Sequence, residues 1–438
     1  MKTKSVSKES WKHKIRYGIL KPIYVELAKI SPNLAIWIRV NIFRSYNYLK
    51  SLREKEFLPL ERDRDSTYLF VDTTCISACD AKTGIQRVVN NVFTQLLAQE
   101  KNTIASKIFN FKKIISSYAY MQNHNEQREK EIFFSAGDKL LLLDSSWDQA
   151  KPMKKIINNL HSNGGTVGGV IYDLFPITYP KNFPSQAFIY NFVSWHKMLL
   201  KKADDVICIS RTVADTVEKY YNEQGFRRKR PLRLHYFPMG ASFGEAAGEP
   251  REALKKFVCG GPTFLMVGTI EPRKGHNVAL DAFAKLLDTT LEAKLLIIGK
   301  NGWKNDDIIN KLKNEVFRGK VLWLKDAEDA ELQWAYRNAS VLIAASEDEG
   351  YGLPLIEAAH FGIPIIASDI PIFREVAGEH ADYFKVMDAN ALCEAMQRWI
   401  ASEKHPDSNE IKLYTWKESA QAILDIMNHK QEPYKILC

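Results

Sequence analysis

No apolar run in this chain of 438 residues approaches the roughly 20 residues a helix needs to cross a bilayer; the longest candidates are broken by Lys29, Pro32 and Arg39. The N-terminus is basic but lacks the apolar core and small-residue cleavage site of a secretory signal, so a cytoplasmic protein is expected. Cysteine is scarce. Six residues, at 75, 79, 208, 259, 393 and 438, show no paired metal spacing beyond one isolated C-x3-C at Cys75 and Cys79. That excludes a disulfide framework and fits a reduced compartment, with Cys208 reading as core. Internal repeats and low-complexity tracts are missing, and the 22 glycines and 17 prolines are scattered. Also missing is an isolated D-x-D at a strand end. Asp204-Asp205 opens a strand and Asp306-Asp307 begins a polar helix, and both read as surface charge. The histidines at 161, 196, 235, 276, 360 and 380 have no ligand spacing. No metal and no cofactor are expected.

A general excess of positive charge is lacking too. The net charge is +9, but 13 of the 61 Lys/Arg and 4 of the 52 Asp/Glu fall in residues 1–60, leaving 48 of each sign elsewhere. Nucleic acid is therefore excluded as a partner. The basic segment is also amphipathic ("WKHKIRYGILKPIYVELAKISPNLAIWIRVNIFRSYNYLKSL"). Two readings stay open for it: peripheral contact with an anionic membrane surface, or a pair of helices packed on the body.

What is present is an ordinary globular composition, 45% hydrophobic and 26% charged, in a chain too long for one core. From residue 67 apolar runs alternate with helical patterns. "YLFVDTT", "KLLLLDSS", "VGGVIYDL" and "DVICIS" read as strands, separated by helices such as "TGIQRVVNNVFTQLLAQ" and "RTVADTVEKYY", the latter capped by Ser210. A Gly-, Ala- and Glu-rich break near 240–262 fits an interdomain connection. The alternation then restarts with "TFLMVGTI", "KLLIIG", "VLWL", "VLIAAS" and "IPIIAS". Strands apolar throughout, with helices between, predict two α/β, doubly wound, Rossmann-like parallel-sheet domains facing a cleft. The expected division is 1–60 extension, 61–245 first domain, 246–410 second domain, and 411–438 a C-terminal helix packing back on the first.

Ligands of such sheets sit beyond the carboxyl ends of the strands, so the strand-to-helix loops carry the candidates. In "DTTCISACDAKTGIQR", Gly84 permits close backbone approach, the following N–H groups could hold an anion, and Arg87 lies one turn in; a plain helix start is the other reading. "GTIEPRKGHN" places Arg273 and Lys274 between Gly268 and Gly275, a fork and a point charge suited to a diphosphate; a solvated basic turn is the alternative. In "SEDEGYGLPLIEAAHFGIP", Pro354 suits a first helical turn and Gly362 a C-terminal cap, so a helix of about 354–361 is expected. Glu349 then lies in the loop, Glu357 one turn inside the helix, and the positive helix end between them. Glu357 can accept two hydrogen bonds from a ribose diol and Glu349 can meet a hydroxylated group beyond the diphosphate, the outline of a sugar nucleotide.

These residues resemble a known family. "EGYGLPLIE" has the E-x7-E spacing of the group 1 glycosyltransferases, retaining nucleotide-sugar enzymes with the two-domain GT-B fold. "GTIEPRKGHNVALDAF", "FREVAGEHADYF" and "YTWKESAQAIL" support the match across most of 262–425. "AKTGIQRVV", "VIYDLFPITYP" and "DVICISRTVAD" resemble the subset that builds bacterial surface polysaccharides such as lipopolysaccharide O-antigen, often as mannosyl- or rhamnosyltransferases. The resemblance implies that Arg273 and Lys274 bind the donor diphosphate, Glu357 the ribose and Glu349 the donor sugar. Gly350, Tyr351, Gly352 and Leu353 would give backbone contacts, Gly84 would face the donor, and Asp173 and Arg211 would line the cleft. Where related enzymes often carry a histidine, this chain has Tyr172-Asp173, so Asp173 is the substitute. The implied donor is GDP-mannose or dTDP-rhamnose and the implied acceptor a glycan or lipid-linked saccharide. A sugar-nucleotide epimerase, a sugar phosphorylase or a non-catalytic partner subunit could share the architecture.

Overall fold

A computed structural model describes residues 57–438 apart from 64–65, 79–82, 110–112, 117–128, 184, 242–245 and 247. The basic amphipathic segment up to residue 56, and Cys79, lie outside the described residues.

Two sheets organise the described residues. The first has eight strands in the order β14-β7-β6-β5-β4-β1-β2-β3. They are β1 (Leu69–Asp72), β2 (Thr103–Phe109), β3 (Lys113–Ser116), β4 (Lys139–Leu142), β5 (Thr166–Ile171), β6 (Asp205–Cys208), β7 (Leu232–Tyr236) and β14 (Lys435–Leu437). The second has six, in the order β10-β9-β8-β11-β12-β13: β8 (Thr263–Val267), β9 (Lys294–Ile298), β10 (Val321–Leu324), β11 (Val341–Ala344), β12 (Ile365–Ser368) and β13 (Asp382–Phe384). All pairings are parallel except β2–β3 and β7–β14 at the two edges of the first sheet. Central strands such as β4 and β11 are buried almost throughout, because helices cover both faces and leave no solvated side for polar residues.

Most of the helices that matter for the site follow strands. They are α1 (Gly84–Gln99), α2 (Ala150–Ser162), α3 (Gln186–Lys202), α4 (Arg211–Glu223), α5 (His276–Leu287), α6 (Asp329–Asn338), α7 (Leu353–Phe361), α8 (Pro371–Ala377) and α9 (Trp416–Met427). Thr83 and Gln86 form a capping box that starts α1, and the Ser210 hydroxyl accepts from Val213 N to start α4, as its sequence predicts. Gly362 closes α7 in the left-handed region, φ 68°, at the predicted cap; the helix opens one residue earlier than expected, on Leu353.

The chain crosses between the sheets twice, side by side. Gly240 and Tyr414 form a bridge there, and Ala241 N donates to Tyr414 O at 2.8 Å. After the return, Ala420, Ile423, Leu424, Ile426 and Met427 of α9 join the core of the first sheet, and β14 adds its edge strand. Within the segment expected to be linker, residues from 251 onward already belong to the second domain: Leu254 is fully buried in its core and Arg251 pairs with Glu331.

Asp204 and Asp205 are not surface charges. Asp204 accepts from Val167 N and pairs with His161, both at 2.9 Å, while Asp205 takes Arg233 at 2.7 Å and His235 at 3.1 Å. They tie β6 to its neighbours. Asp306 and Asp307 do stand exposed. The strands missed in the sequence (β2, β3, β7, β13 and β14) are short, edge-bound or interrupted by charge, so they lack the unbroken apolar run of their neighbours.

Candidate active site

The loops after β8 and β11 meet at their carboxyl ends. Gly275 makes this meeting possible. It adopts φ 72°, and a Cβ there would lie 2.0 Å from the Ala345 carbonyl oxygen, so no side chain fits. Arg273 O in turn accepts from Glu347 N at 2.8 Å. This stitching brings both predicted cations onto the predicted sugar carboxylate. Arg273 Nη1 donates to Glu349 Oε2 at 2.9 Å, Lys274 Nζ donates to Glu349 Oε1, and Ser346 Oγ donates to the same oxygen at 2.7 Å. Burial alone would raise the Glu349 pKa, but Lys274 and Arg273 outweigh it and hold the carboxyl at about 2.

More carboxylates surround these cations. Buried Glu271 pairs with Arg273 Nη2 at 2.8 Å, and burial pushes its pKa up against the pull of Arg273 and Lys274. Asp348 is raised to about 6, chiefly by burial. From the first domain, Asp173 is also raised to about 6, by burial, with Arg273 opposing; its carboxylate accepts from Phe175 N at 3.1 Å. The Phe175 ring lies 4.7 Å from the Arg273 guanidinium carbon, a cation–π contact across the domains. Tyr172, the other half of the Tyr-Asp pair, is occupied: its hydroxyl donates to Leu143 O at 2.7 Å.

Glu357 forms a second centre, one turn into α7. Its carboxylate accepts from Tyr336 Oη of α6 at 2.8 Å and from Arg87 Nη1 of α1 at 3.1 Å. Burial raises its pKa, with Arg87 the main opposing charge. Between the two centres lies the N-terminus of α7, capped by Gly352 at φ 95°. Here a loop carboxylate holding two cations, a helix end and a buried helix carboxylate follow one another along the chain, spaced as E-x7-E.

The family model described as "Glycosyl transferases group 1" matches residues 254–416. Residues 254–416 are thus similar to a group 1 glycosyl transferase domain. The Escherichia coli serotype-specific mannosyltransferase WbdA is 32% identical over 378 residues, which are 82% of this chain and 45% of WbdA. The Salmonella typhimurium O-antigen chain mannosyltransferase RfbU is 24% identical over 252 residues, 54% of this chain and 61% of RfbU. The chain thus spans about half the length of WbdA. Among solved structures, Anabaena HepE in complex with UDP and glucose superposes with a TM-score of 0.55 at 13% identity, over 83% of this chain and 98% of that one. The fold is the two-domain GT-B arrangement.

Within the matched segment and the domain facing it, the structure brings the site residues together unevenly. Arg273, Lys274, Glu349 and Asp173 form one cluster. Arg87, in the first turn of α1, meets Glu357. Gly84 stands open, with nothing within 4 Å of a Cβ placed on it. Gly268 ends β8 at φ 147°. Gly350 faces the first domain: a Cβ would lie 2.5 Å from Tyr172 O, and its own carbonyl accepts from Ser210 Oγ at 2.9 Å. The Tyr351 hydroxyl points to Met239 O at 3.5 Å. Arg211 is apart from the cluster. Its backbone N–H donates to Glu375 Oε1 at 2.8 Å and its side chain is exposed.

Sequence reasoning missed Glu271, Asp348, Ser346, Tyr336 and Phe175. Glu271, Ser346 and Asp348 lie inside the quoted motifs "GTIEPRKGHN" and "SEDEGYG", which together hold more carboxylates than cations. Phe175 lies inside "VIYDLFPITYP" without a charge to mark it, and Tyr336 had no local signal; only the packing of α6 and of the segment after β5 brings them in.

Proposed function

We propose that this chain is a retaining, metal-independent hexosyltransferase. It moves a hexosyl or deoxyhexosyl group, mannose or rhamnose in the first place, from GDP-mannose or dTDP-rhamnose to a growing surface glycan or lipid-linked saccharide. The observation that supports this reading is the cluster of Arg273, Lys274 and Glu349 beside the N-terminus of α7, with Glu357 one turn inside. The likeness to WbdA and RfbU favours mannose.

In this reading the donor diphosphate takes Arg273 and Lys274 over from Glu349, and the released carboxylate accepts hydroxyls of the donor sugar. Glu357 accepts from the ribose, with Tyr336 and Arg87 fixing its orientation. The bond from the anomeric carbon to the β-phosphate oxygen breaks through an oxocarbenium-like state. The leaving diphosphate gains negative charge, which Arg273, Lys274 and the end of α7 stabilise without reorganising. The acceptor oxygen bonds to the same face of the anomeric carbon, and its proton passes to the leaving phosphate. Asp173 and Phe175 hold Arg273 in place from the acceptor domain. The basic segment before residue 57 would keep the enzyme peripheral to the cytoplasmic face of the membrane.

The test is a panel of GDP-mannose, dTDP-rhamnose and UDP-sugars in a thermal-shift assay, followed by product analysis of anomeric configuration. A donor that binds must raise the melting temperature. A panel that leaves it unmoved, or a product of inverted configuration, defeats the reading. Removal of residues 1–60 should reduce sedimentation with anionic liposomes; unchanged sedimentation defeats the membrane part alone.

A further inference from the structure

A cavity of about 390 Å³ lies in the seam between the two domains, a volume within the range of small-molecule sites, roughly 300–1,000 Å³. Its walls come from both sides. Arg211 at the start of α4 and Tyr236 at the end of β7 belong to the first domain, and Glu375 to α8 of the second. Lys412 and Tyr414 come from the return crossing, and Tyr351 from the loop that also carries Glu349. Arg273, Lys274, Glu349 and Glu357 do not line it.

Three tyrosines therefore face one space at a place where the chain crosses between domains. Tyrosine rings offer flat apolar faces with a polar rim, the surface on which the C–H face of a sugar ring packs. The charges are asymmetric. Both oxygens of Glu375 are already taken, Oε1 by Arg211 N at 2.8 Å and Oε2 by Thr212 N at 2.7 Å and Thr212 Oγ1 at 2.6 Å. The Lys412 ammonium lies over the Tyr414 ring at 4.6 Å. Among the described residues, neither it nor the Arg211 guanidinium is held by a carboxylate. A fork and a point charge on one cavity favour a phosphate.

We propose that this cavity is a second ligand site, for a sugar ring bearing a phosphate ester, with the ring against Tyr236, Tyr351 and Tyr414 and the phosphate drawn by Arg211 and Lys412. The site goes beyond the donor reading and does not depend on which sugar the donor carries. Its ligand bridges the domains, so occupancy favours the arrangement in which they meet. It also touches the donor loop directly, since Tyr351 is two residues from Glu349 and the neighbouring Gly350 carbonyl is bonded to Ser210.

Isothermal titration of the full chain with mannose 6-phosphate, mannose and inorganic phosphate tests this. The wild type should bind the ester more tightly than either fragment. Lys412→Ala, an exposed position, should weaken the ester about tenfold, the scale of one charge-assisted hydrogen bond. A Lys274→Met, Glu349→Gln variant, whose donor site is disabled, should bind the ester as the wild type does. No binding to the wild type overturns the proposal. So does binding that survives Lys412→Ala but is lost in the donor-site variant, because the ester would then occupy the donor site. Transfer assays separate the two sources of such a ligand: competition with the acceptor marks a phosphorylated acceptor, and a changed rate at saturating acceptor marks a free sugar phosphate acting as effector.

Discussion

Arg87 of α1 donates to Glu357 of α7 at 3.1 Å, so a single ion pair joins the start of the first domain's leading helix to the second domain's buried carboxylate. The two residues are 270 positions apart. The arrangement makes the ribose-binding candidate depend on domain closure: when the domains part, Glu357 keeps Tyr336 but loses its only cation among the contacts described above.

Arg87→Ala tests that dependence. The Arg87 side chain is 41% exposed, so the pair is screened and its loss should cost at most about 1 kcal/mol in urea unfolding. Donor affinity should fall more clearly, because Glu357 left with its raised pKa accepts hydrogen bonds less well. A stability loss with unchanged KM for the nucleotide sugar would make Arg87 a structural tie only.

Lys274 and Glu349 should show opposite couplings for stability and activity. Lys274→Met leaves a buried carboxylate short of a cation and should lower the melting temperature while reducing kcat about 100- to 1,000-fold. Adding Glu349→Gln should restore the melting temperature but not kcat. Recovery of both would remove the two residues from the chemistry.

The same carboxylate sets an acid limb. The Glu349 pKa falls from 4.5 to about 2 on folding. Its stabilisation is therefore complete above the unfolded value and is lost as pH falls from about 4.5 towards 2, on the order of 3 kcal/mol in all. Unfolding midpoints of wild type and Glu349→Gln across that range should converge at the acid end. Parallel curves would contradict the ion pairing.

Asp173 carries the reverse sign. Its folded pKa is raised to about 6 from 3.8, so the folded state binds more protons and stability falls as pH rises through that interval. Asp173→Asn should flatten the fall and make the protein more stable at pH 7, while lowering transfer. A variant less stable at pH 7 would show that the carboxylate is not strained by burial.

Gly350→Ala should hold the domains apart. The new Cβ would press on the Tyr172 carbonyl at 2.5 Å, and overpacking against backbone costs about 1–3 kcal/mol. Small-angle scattering should report an opened form and the transfer rate should drop. An unchanged scattering curve with full activity would remove Gly350 from the domain contact.

By itself the sequence determined the two parallel sheets, the helices between them and the E-x7-E loop. These rest on apolar runs, helical periodicity, caps such as Ser210 and breakers such as Pro354 and Gly362, which act through neighbours along the chain. Arg273, Lys274 and Glu349 were legible as types suited to diphosphate and sugar, because strand-end loops are where such sheets bind. Tertiary structure alone decided that the two cations rest on Glu349 itself, that Arg87 serves Glu357, and that Asp204 and Asp205 are buried ties. It also decided that burial lifts Asp173 and Asp348 while ion pairing lowers Glu349. Charge partners and desolvation depend on which distant segments meet in space, and the packing of two domains against each other sets those meetings.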